Sequence, residues 1–345
     1  MKPRVLVDPG SWVDEAAEKS LGEIAERVPV EETLDEDGLI QALSGCTGLI
    51  KLGPQLPRLS ARVLESAHDL RIVGLRSDRF GHGIDLETAA RREVRVVDAD
   101  NLSSAHPVAE WDLALILLCL RNAGAVYRQM MAGTDTWASA GNDDFVNGEL
   151  TGRRVGLIGC GHVGQRLIEL LAPFRVDLRV CDPYVSEDMV TRLGITRDDL
   201  GAVLDHADIL VVQVPHTPKT EGLIGAAELE RLGEGKILIN CSRGKVMDQD
   251  ALVARLQAGR LIAGLDVFDP EPLPSGHVLR SLSNVFCTPH IAWHAQNAFH
   301  RYYAYTAQDF VRFFRDEPLQ HELTARMVDI RHGRPSGEAP DGRLP

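Results

Sequence analysis

The feature that most constrains this chain is a glycine-patterned turn that closes one strand and opens one helix. Val155-Gly156-Leu157-Ile158-Gly159-Cys160-Gly161-His162-Val163-Gly164 ends an apolar run with G-x-G-x-x-G and leads into an amphipathic stretch over 165–171. In such a turn Gly159 permits the tight bend, Gly161 lets the backbone approach a pyrophosphate, and Gly164 lets helix and strand pack closely. The helix start then presents N–H groups and the positive end of its dipole to phosphate. A second apolar run, 176–182, ends at Asp182, 18 residues beyond Gly164. That is close to the roughly 20-residue spacing at which a carboxylate meets the ribose hydroxyls and repels a 2′-phosphate. No arginine follows Asp182 directly, so the cofactor expected is NAD, held by Gly159, Gly161, His162, Val163, Gly164, Asp182 and Pro183.

The rest of the chain alternates in the same way. Strand-like runs at 155–159, 176–182, 209–214, 236–240, 262–266 and 285–288 are mostly separated by helical stretches. Earlier, runs at 5–8, 28–30, 48–51 and 71–74 are interleaved with amphipathic stretches at 15–26, 36–43 and 59–68. Strands alternating with helices imply parallel sheets. An apolar helix is expected over 108–120, with Pro107 in its first turn, and another helix over 295–315. The last residues, 332–345, are rich in Gly, Pro and charge, a composition that reads as a disordered tail.

Composition narrows the partners. With 345 residues, 44% hydrophobic and 25% charged, the chain has the length and balance of a two-domain globular protein. Its formal net charge of −13 disfavours nucleic acid, whose binders carry a basic stripe. No run approaches membrane-span length, and no signal-like segment opens the chain. The six cysteines form no CxxC pair, so a reducing cytoplasm and no metal site are expected.

Four further stretches resemble the D-2-hydroxyacid dehydrogenase family: 214–220 (VPHTPKT), 239–244 (INCSRG), 265–272 (LDVFDPEP) and 288–293 (TPHIAW), with 107–111 (PVAEW) a weaker fifth. Their order and separations are also similar to the family's. The resemblance implies an α/β fold of two doubly wound parallel-sheet domains, a Rossmann NAD-binding domain inserted into a flavodoxin-like substrate domain. The expected boundaries are 1–103 for the first part of the substrate domain, 104–291 for the NAD domain, 292–330 for the returning part and 331–345 for the tail. It implies hydride transfer between NAD(H) and a small D-2-hydroxy/2-oxo acid. Arg243 then holds the substrate carboxylate with a bidentate, permanently charged fork. His290 exchanges the proton on the substrate oxygen, protonated for reduction and neutral for oxidation. Glu271 hydrogen-bonds and orients His290; formate dehydrogenases, which share the fold, place glutamine there. Asp266 orients the nicotinamide carboxamide, and Val214, Pro215, Thr220, Cys241, Ser242 and His290 line the cofactor.

A homodimer is also implied, built on the 108–120 helix and on 132–150, which holds Trp137 and Phe145. Met130 and Met131 read as fillers of a packing surface. An NAD-sensing scaffold or corepressor with little turnover is the alternative, since such relatives keep the same Arg/Glu/His set.

The chain departs from the family at Gly74–Asp85. The family's glycine-rich carboxylate loop is matched literally by 79–85, but late after the strand; counting from the strand puts Arg76 at its start and non-glycine residues inside it. The second register is preferred and leaves Arg76, Ser77 and Arg79 as candidate specificity elements. Lys51 and His106 are further candidate substrate contacts.

Overall fold

The computed structural model describes residues 2–8, 10, 13–76, 83–99, 102–134, 148–324 and 327–328. Ser77, Asp78, Arg79, Phe80, His82, Trp137, Phe145 and the 331–345 tail lie outside the described residues. The chain divides into two compact units, Met1–Ser104 with Ala295–Pro345, and Ala105–His294.

The first unit is a five-stranded, all-parallel sheet in the order β2-β1-β3-β4-β5. Its strands are β1 (Arg4–Asp8), β2 (Glu26–Pro29), β3 (Gly48–Lys51), β4 (Ile72–Leu75) and β5 (Arg95–Asp98). Helices α1 (Glu15–Ile24), α2 (Glu36–Ala42), α3 (Ala61–Ser66) and α4 (Leu86–Arg91) connect them. Each of these helices starts at an Asp or Ser whose side chain accepts a first-turn N–H: Asp14, Asp35, Ser60 and Asp85. β5 is absent from the sequence reading. Only Val96 and Val97 of this four-residue strand are apolar, and Arg95 and Asp98 mask the run. The second strand also lies earlier than the 28–30 expected.

Near the end of the chain, α12 (Gln296–Phe314) lays Tyr303, Ala307 and Phe310 into the core formed with β1, β3 and β4. The Tyr303 hydroxyl donates to Glu18 of α1, which also pairs with Arg27. Asp309, fully buried, accepts the N–H groups of Gln320 and His321 and lies 2.8 Å from His321 Nδ1. That pins the chain after the helix.

The second unit is a seven-stranded, all-parallel sheet in the order β12-β11-β10-β9-β6-β7-β8. It comprises β6 (Arg154–Ile158), β7 (Asp177–Cys181), β8 (Thr196–Arg197), β9 (Ile209–Val212), β10 (Lys236–Asn240), β11 (Leu261–Leu265) and β12 (Val285–Cys287). The helices are α5 (Ala105–Leu120), α6 (Ala123–Ala132), α7 (His162–Leu171), α8 (Glu187–Leu193), α9 (Leu200–His206), α10 (Ala226–Leu232) and α11 (Gln249–Gln257). β6 lies between β9 and β7, so the strand order reverses there and a crevice opens at the carboxyl edge of the sheet. Helix α5 packs on α7, β10 and β11. A break at Asn122, with φ of 46°, separates it from α6. Met130 and Met131 are 58% and 65% exposed, so among the described residues they are not packed fillers.

Candidate active site

All the motif residues of the second unit leave the sheet at its carboxyl edge. After β6, Gly159 takes a φ of 97°, and a Cβ there would overlap the Gln213 carbonyl oxygen. A Cβ on Gly164 would come within 2.5 Å of the Gly159 carbonyl oxygen, so both positions require glycine. Gly161 faces open space and provides no side chain to cap α7. The neighbouring helices α8, α9 and α11 are capped by Ser186, Asp199 and Asp248. The uncapped start of α7 is the feature that a pyrophosphate would complete. His162 is exposed there, with Val163 partly buried beside it.

Asp182 is bound into this turn. Its Oδ2 accepts the Cys160 N–H at 2.7 Å and its Oδ1 the Tyr184 N–H at 2.8 Å. The carboxylate therefore braces the glycine turn from the next strand, and its remaining acceptor positions are what a ribose would meet. Pro183 is exposed beside it. After β9, Val214 is half-buried and Pro215 exposed. The Thr220 hydroxyl donates to Pro215 O at 2.5 Å and accepts from Thr217 N at 2.8 Å, which closes the 215–220 turn.

After β10 the chain turns sharply. Buried Asn240 accepts both the N–H and the hydroxyl of Ser242, at 3.0 and 2.8 Å, and donates to Arg243 O at 3.0 Å. The Arg243 guanidinium, half-buried, donates to Ser242 O. A Cβ on Gly244 would overlap the Phe268 carbonyl, so this glycine lets the Arg243 turn lie against the loop after β11. That loop holds Glu271 and has cis peptides at Asp269-Pro270 and Glu271-Pro272.

The loops after β11 and β12 are tied together. Glu271 Oε1 accepts the Phe268 N–H at 2.9 Å, and Oε2 lies 2.8 Å from His290 Nδ1. Both side chains remain about one-third exposed, so the imidazole is braced on one side and accessible on another. His290 takes a φ of 56°, left-handed backbone that an L side chain adopts at a cost. Asp266 holds it there. His290 N donates to Asp266 O at 2.8 Å, and the fully buried Asp266 carboxylate accepts Thr288 Oγ1 at 2.6 Å and the N–H groups of Ile291 and Ala292, each at 2.9 Å. Three of about four acceptor positions on this carboxylate thus anchor the histidine loop. Trp111 Nε1 of α5 reaches Thr288 Oγ1 at 3.2 Å.

Beneath this edge lies a polar group that the sequence reading passed over. Asp112 is fully buried, at a core position of α5 otherwise filled by Val108, Ala109, Leu115, Ile116 and Cys119. Gln213 Nε2 donates to its two oxygens at 2.9 and 2.7 Å, and the Cys241 thiol also donates to it. Burial pushes the Asp112 carboxyl up to about 7, with Asp266 adding to the shift and the Cys241 and Gln213 hydrogen bonds opposing it. Burial likewise pushes the Cys241 thiol well up. An aspartate at helical core spacing was the available signal for Asp112, as the paired acceptor and donor of Asn240 were for the Arg243 turn.

The candidates of the first unit are placed separately. Lys51 ends β3 and Arg76 follows β4, both at the carboxyl edge of their sheet. The Arg76 guanidinium lies over the rings of Phe299 and Tyr302, 5.3 and 5.6 Å from their centroids, within cation–π reach. His106, in the first turn of α5 and the second unit, is exposed. Among the described residues, no group of three or more His, Cys, Asp or Glu side chains could hold a metal ion. No disulfide links the six cysteines, and among the described residues no helix is long and apolar enough to cross a membrane.

A reversed strand order with a glycine turn at its crevice, and a histidine–carboxylate couple on the same sheet edge, define a nicotinamide-dinucleotide dehydrogenase architecture. Residues 113–292 match the family described as D-isomer specific 2-hydroxyacid dehydrogenase, NAD binding domain. A glyoxylate reductase from Thermofilum pendens is 30% identical over 95% of this chain and 95% of its own length. A D-3-phosphoglycerate dehydrogenase from Methanocaldococcus jannaschii is 32% identical over 83% of this chain, which spans 52% of that protein's length. Among solved structures, the D-mandelate dehydrogenase of Rhodotorula graminis superposes with a TM-score of 0.82 at 25% identity, covering 94% of this chain and 98% of that one. The chain belongs to the D-isomer specific 2-hydroxyacid dehydrogenase family, with an NAD-binding Rossmann domain and a second parallel α/β unit. It spans about half the length of the phosphoglycerate dehydrogenases it matches.

Proposed function

We propose that this chain reduces a small 2-oxo acid, or oxidises the corresponding D-2-hydroxy acid, at the carboxyl edge of its seven-stranded sheet. The observation that carries the reading is the His290–Glu271 pair held on a loop anchored by Asp266. When bound, NAD(H) supplies or accepts the hydride. The chain's own residues do the rest. The α7 N-terminus and the glycine turn hold the pyrophosphate, and Asp182 meets the ribose. Arg243 fixes the substrate carboxylate through its planar fork and draws charge from the adjacent carbonyl. His290 gives a proton to the carbonyl oxygen in reduction and takes it back in oxidation. Glu271, bonded to Nδ1, fixes the ring so that Nε2 serves the substrate. His290 being aimed at the substrate and Arg243 at its carboxylate are part of the proposal, as are contacts from Lys51, Arg76 and His106.

Two relatives matched along nearly their full length are glyoxylate reductases, which favours turnover over the sensing-scaffold alternative and points to substrates near glyoxylate and hydroxypyruvate in size. The protein works as a homodimer in this reading, through the exposed apolar side of α6, where Tyr127, Met130 and Met131 stand at i, i+3 and i+4. The absence of any disulfide supports a cytoplasmic setting, and the net charge of −13 supports no role with nucleic acid. The test is NADH absorbance with a panel of 2-oxo acids, including glyoxylate, hydroxypyruvate and a phosphate-bearing acid. NADH consumption with at least one acid, abolished in His290→Ala, is expected. Tight NADH binding without turnover on any of them would overturn the reading.

A further inference from the structure

One buried ionisable group at the site edge has no part in the reading above. Asp112 projects from α5 to the ends of two adjacent strands, where it takes Gln213 after β9 and Cys241 after β10. Gln213 immediately precedes Val214 and Pro215, and its carbonyl oxygen abuts Gly159 of the dinucleotide turn. Cys241 immediately precedes Ser242 and Arg243. A single carboxylate therefore fastens the backbone that flanks the cofactor to the backbone that carries the substrate-holding arginine. Asp266, which anchors the His290 loop, is the charged group closest in effect to it.

We propose that Asp112 is a positioning residue with a second consequence: when it loses its proton, the negative charge added beside Asp266 favours NAD+, with its cationic ring, over NADH, whose ring is neutral. This rests on the reading that NAD(H) seats on this sheet edge. The two cofactor forms share pyrophosphate, riboses and adenine, so a charge behind the site discriminates between them only through the ring. In a low-dielectric interior such a charge is weakly screened. Linkage requires the converse as well: NAD+ binding must draw the proton off Asp112.

The other groups facing Asp112 do not substitute for it. From β9 comes the Gln213 amide, which does not titrate. From β10 comes the Cys241 thiol, held protonated by burial. From β11 comes Asp266, engaged with three donors. The buried residues of helix α7, which packs on α5, are Gly164, Leu167, Ile168 and Leu171. Burial raises the thiols of Cys119, further along α5, and Cys287 of β12, to about 12 and about 11. Arg280 and, from α6, Arg128 bear on Cys287.

The test uses His290→Gln protein, so that the catalytic imidazole does not titrate, with Asp112 present or replaced as Asp112→Asn. Calorimetry gives the dissociation constants of NAD+ and NADH between about pH 5.5 and about 8.5, the window around a buried carboxyl of this kind. With Asp112 present, the NADH-to-NAD+ ratio of dissociation constants should rise with pH by roughly fivefold or more, a typical coupling between linked sites. With Asp112→Asn it should be flat. Should that variant fold poorly, 13C NMR of aspartate-labelled His290→Gln protein decides the matter alone. One buried carboxyl should titrate near neutrality, with its midpoint lowered by NAD+ and not by NADH. Equal pH dependence with and without Asp112, or a midpoint moved alike by both cofactors, would overturn the proposal while leaving the dehydrogenase reading intact. Failure to bind either nucleotide at any pH would overturn both.

Discussion

Glu271 holds His290 by one oxygen and the Phe268 N–H by the other, so the carboxylate that braces the imidazole is itself fixed to the loop that carries it. A side chain held at both oxygens orients its partner more firmly than a free one. Glu271→Gln keeps the Phe268 bond but turns the contact to Nδ1 neutral. It should lower kcat by about 10- to 100-fold, and His290→Gln by about 10²- to 10⁴-fold, the range for loss of a positioned acid/base. NADH binding measured by fluorescence should change little in either. Equal kcat in Glu271→Gln and wild type would remove the couple from the mechanism.

Asp266 makes a separate prediction because its carboxylate is fully buried among donors. Asp266→Ala leaves the Thr288 hydroxyl and the N–H groups of Ile291 and Ala292 without their acceptor. The Ala292 N–H is buried and the other two donors are partly buried; an orphaned buried donor costs about 1–3 kcal/mol, so the variant should be destabilised by about that much in urea unfolding. His290 should also lose the anchor for its left-handed backbone, so activity should fall further than cofactor affinity. A variant with wild-type stability would show that these donors find other acceptors.

How far the sequence was legible follows from what each residue's signal depends on. The sheet edge was readable because parallel strands are continuous apolar runs and the glycine turn is local. Arg243, Glu271 and His290 lie next to proline and glycine punctuation that fixes their strand ends. β5 was not readable, since a four-residue strand with charged ends has no periodicity to detect. For Thr220 and Asp266 the motifs give a position in the sequence, but their hydrogen bonds are tertiary. A hydroxyl that closes its own turn, and a carboxylate that anchors a loop 25 residues away, look in sequence like free ligands. Asp112 was hidden by its surroundings: in an apolar helix, one acid at a core position reads as noise until Gln213 and Cys241 are brought to it from two other strands.

The Asp182 carboxylate braces the Cys160 N–H and, in the proposed function, meets the ribose, so its removal should act on the cofactor twice. Asp182→Ala should weaken NAD(H) binding by about 10- to 100-fold, the worth of a charge-assisted hydrogen bond. kcat at saturating cofactor should change much less. Calorimetry with NADH checks the first and steady-state kinetics the second. An unchanged dissociation constant would place the ribose elsewhere.

The exposed apolar side of α6 predicts a concentration-dependent association. Tyr127 and Met131 are 64% and 65% exposed on one chain, and burying them against a second copy removes apolar surface from water. Replacing Met130 and Met131 together by lysine should shift the protein toward monomer in analytical ultracentrifugation without unfolding it, because both side chains are more than half exposed. A double variant that sediments with wild type would move the dimer contact to another surface.

Asp112 also predicts an unusual dependence of stability on pH. Its carboxyl titrates from 3.8 in an unfolded chain to about 7 in the fold, because burial disfavours the charged form. Between those values the folded state keeps a proton that the unfolded chain has lost, so the contribution of Asp112 to stability falls as pH rises from about 4 to about 7 and levels off above. The slope is at most about 1.4 kcal/mol per pH unit for one group. Asp112→Asn cannot ionise and lacks that slope, so the variant should gain on wild type across this window in urea unfolding. Histidines titrate alike in both proteins and cancel in the difference. A difference that stays constant from acidic to neutral pH would mean that the Asp112 carboxyl is ionised throughout, and that the Gln213 and Cys241 hydrogen bonds outweigh its burial.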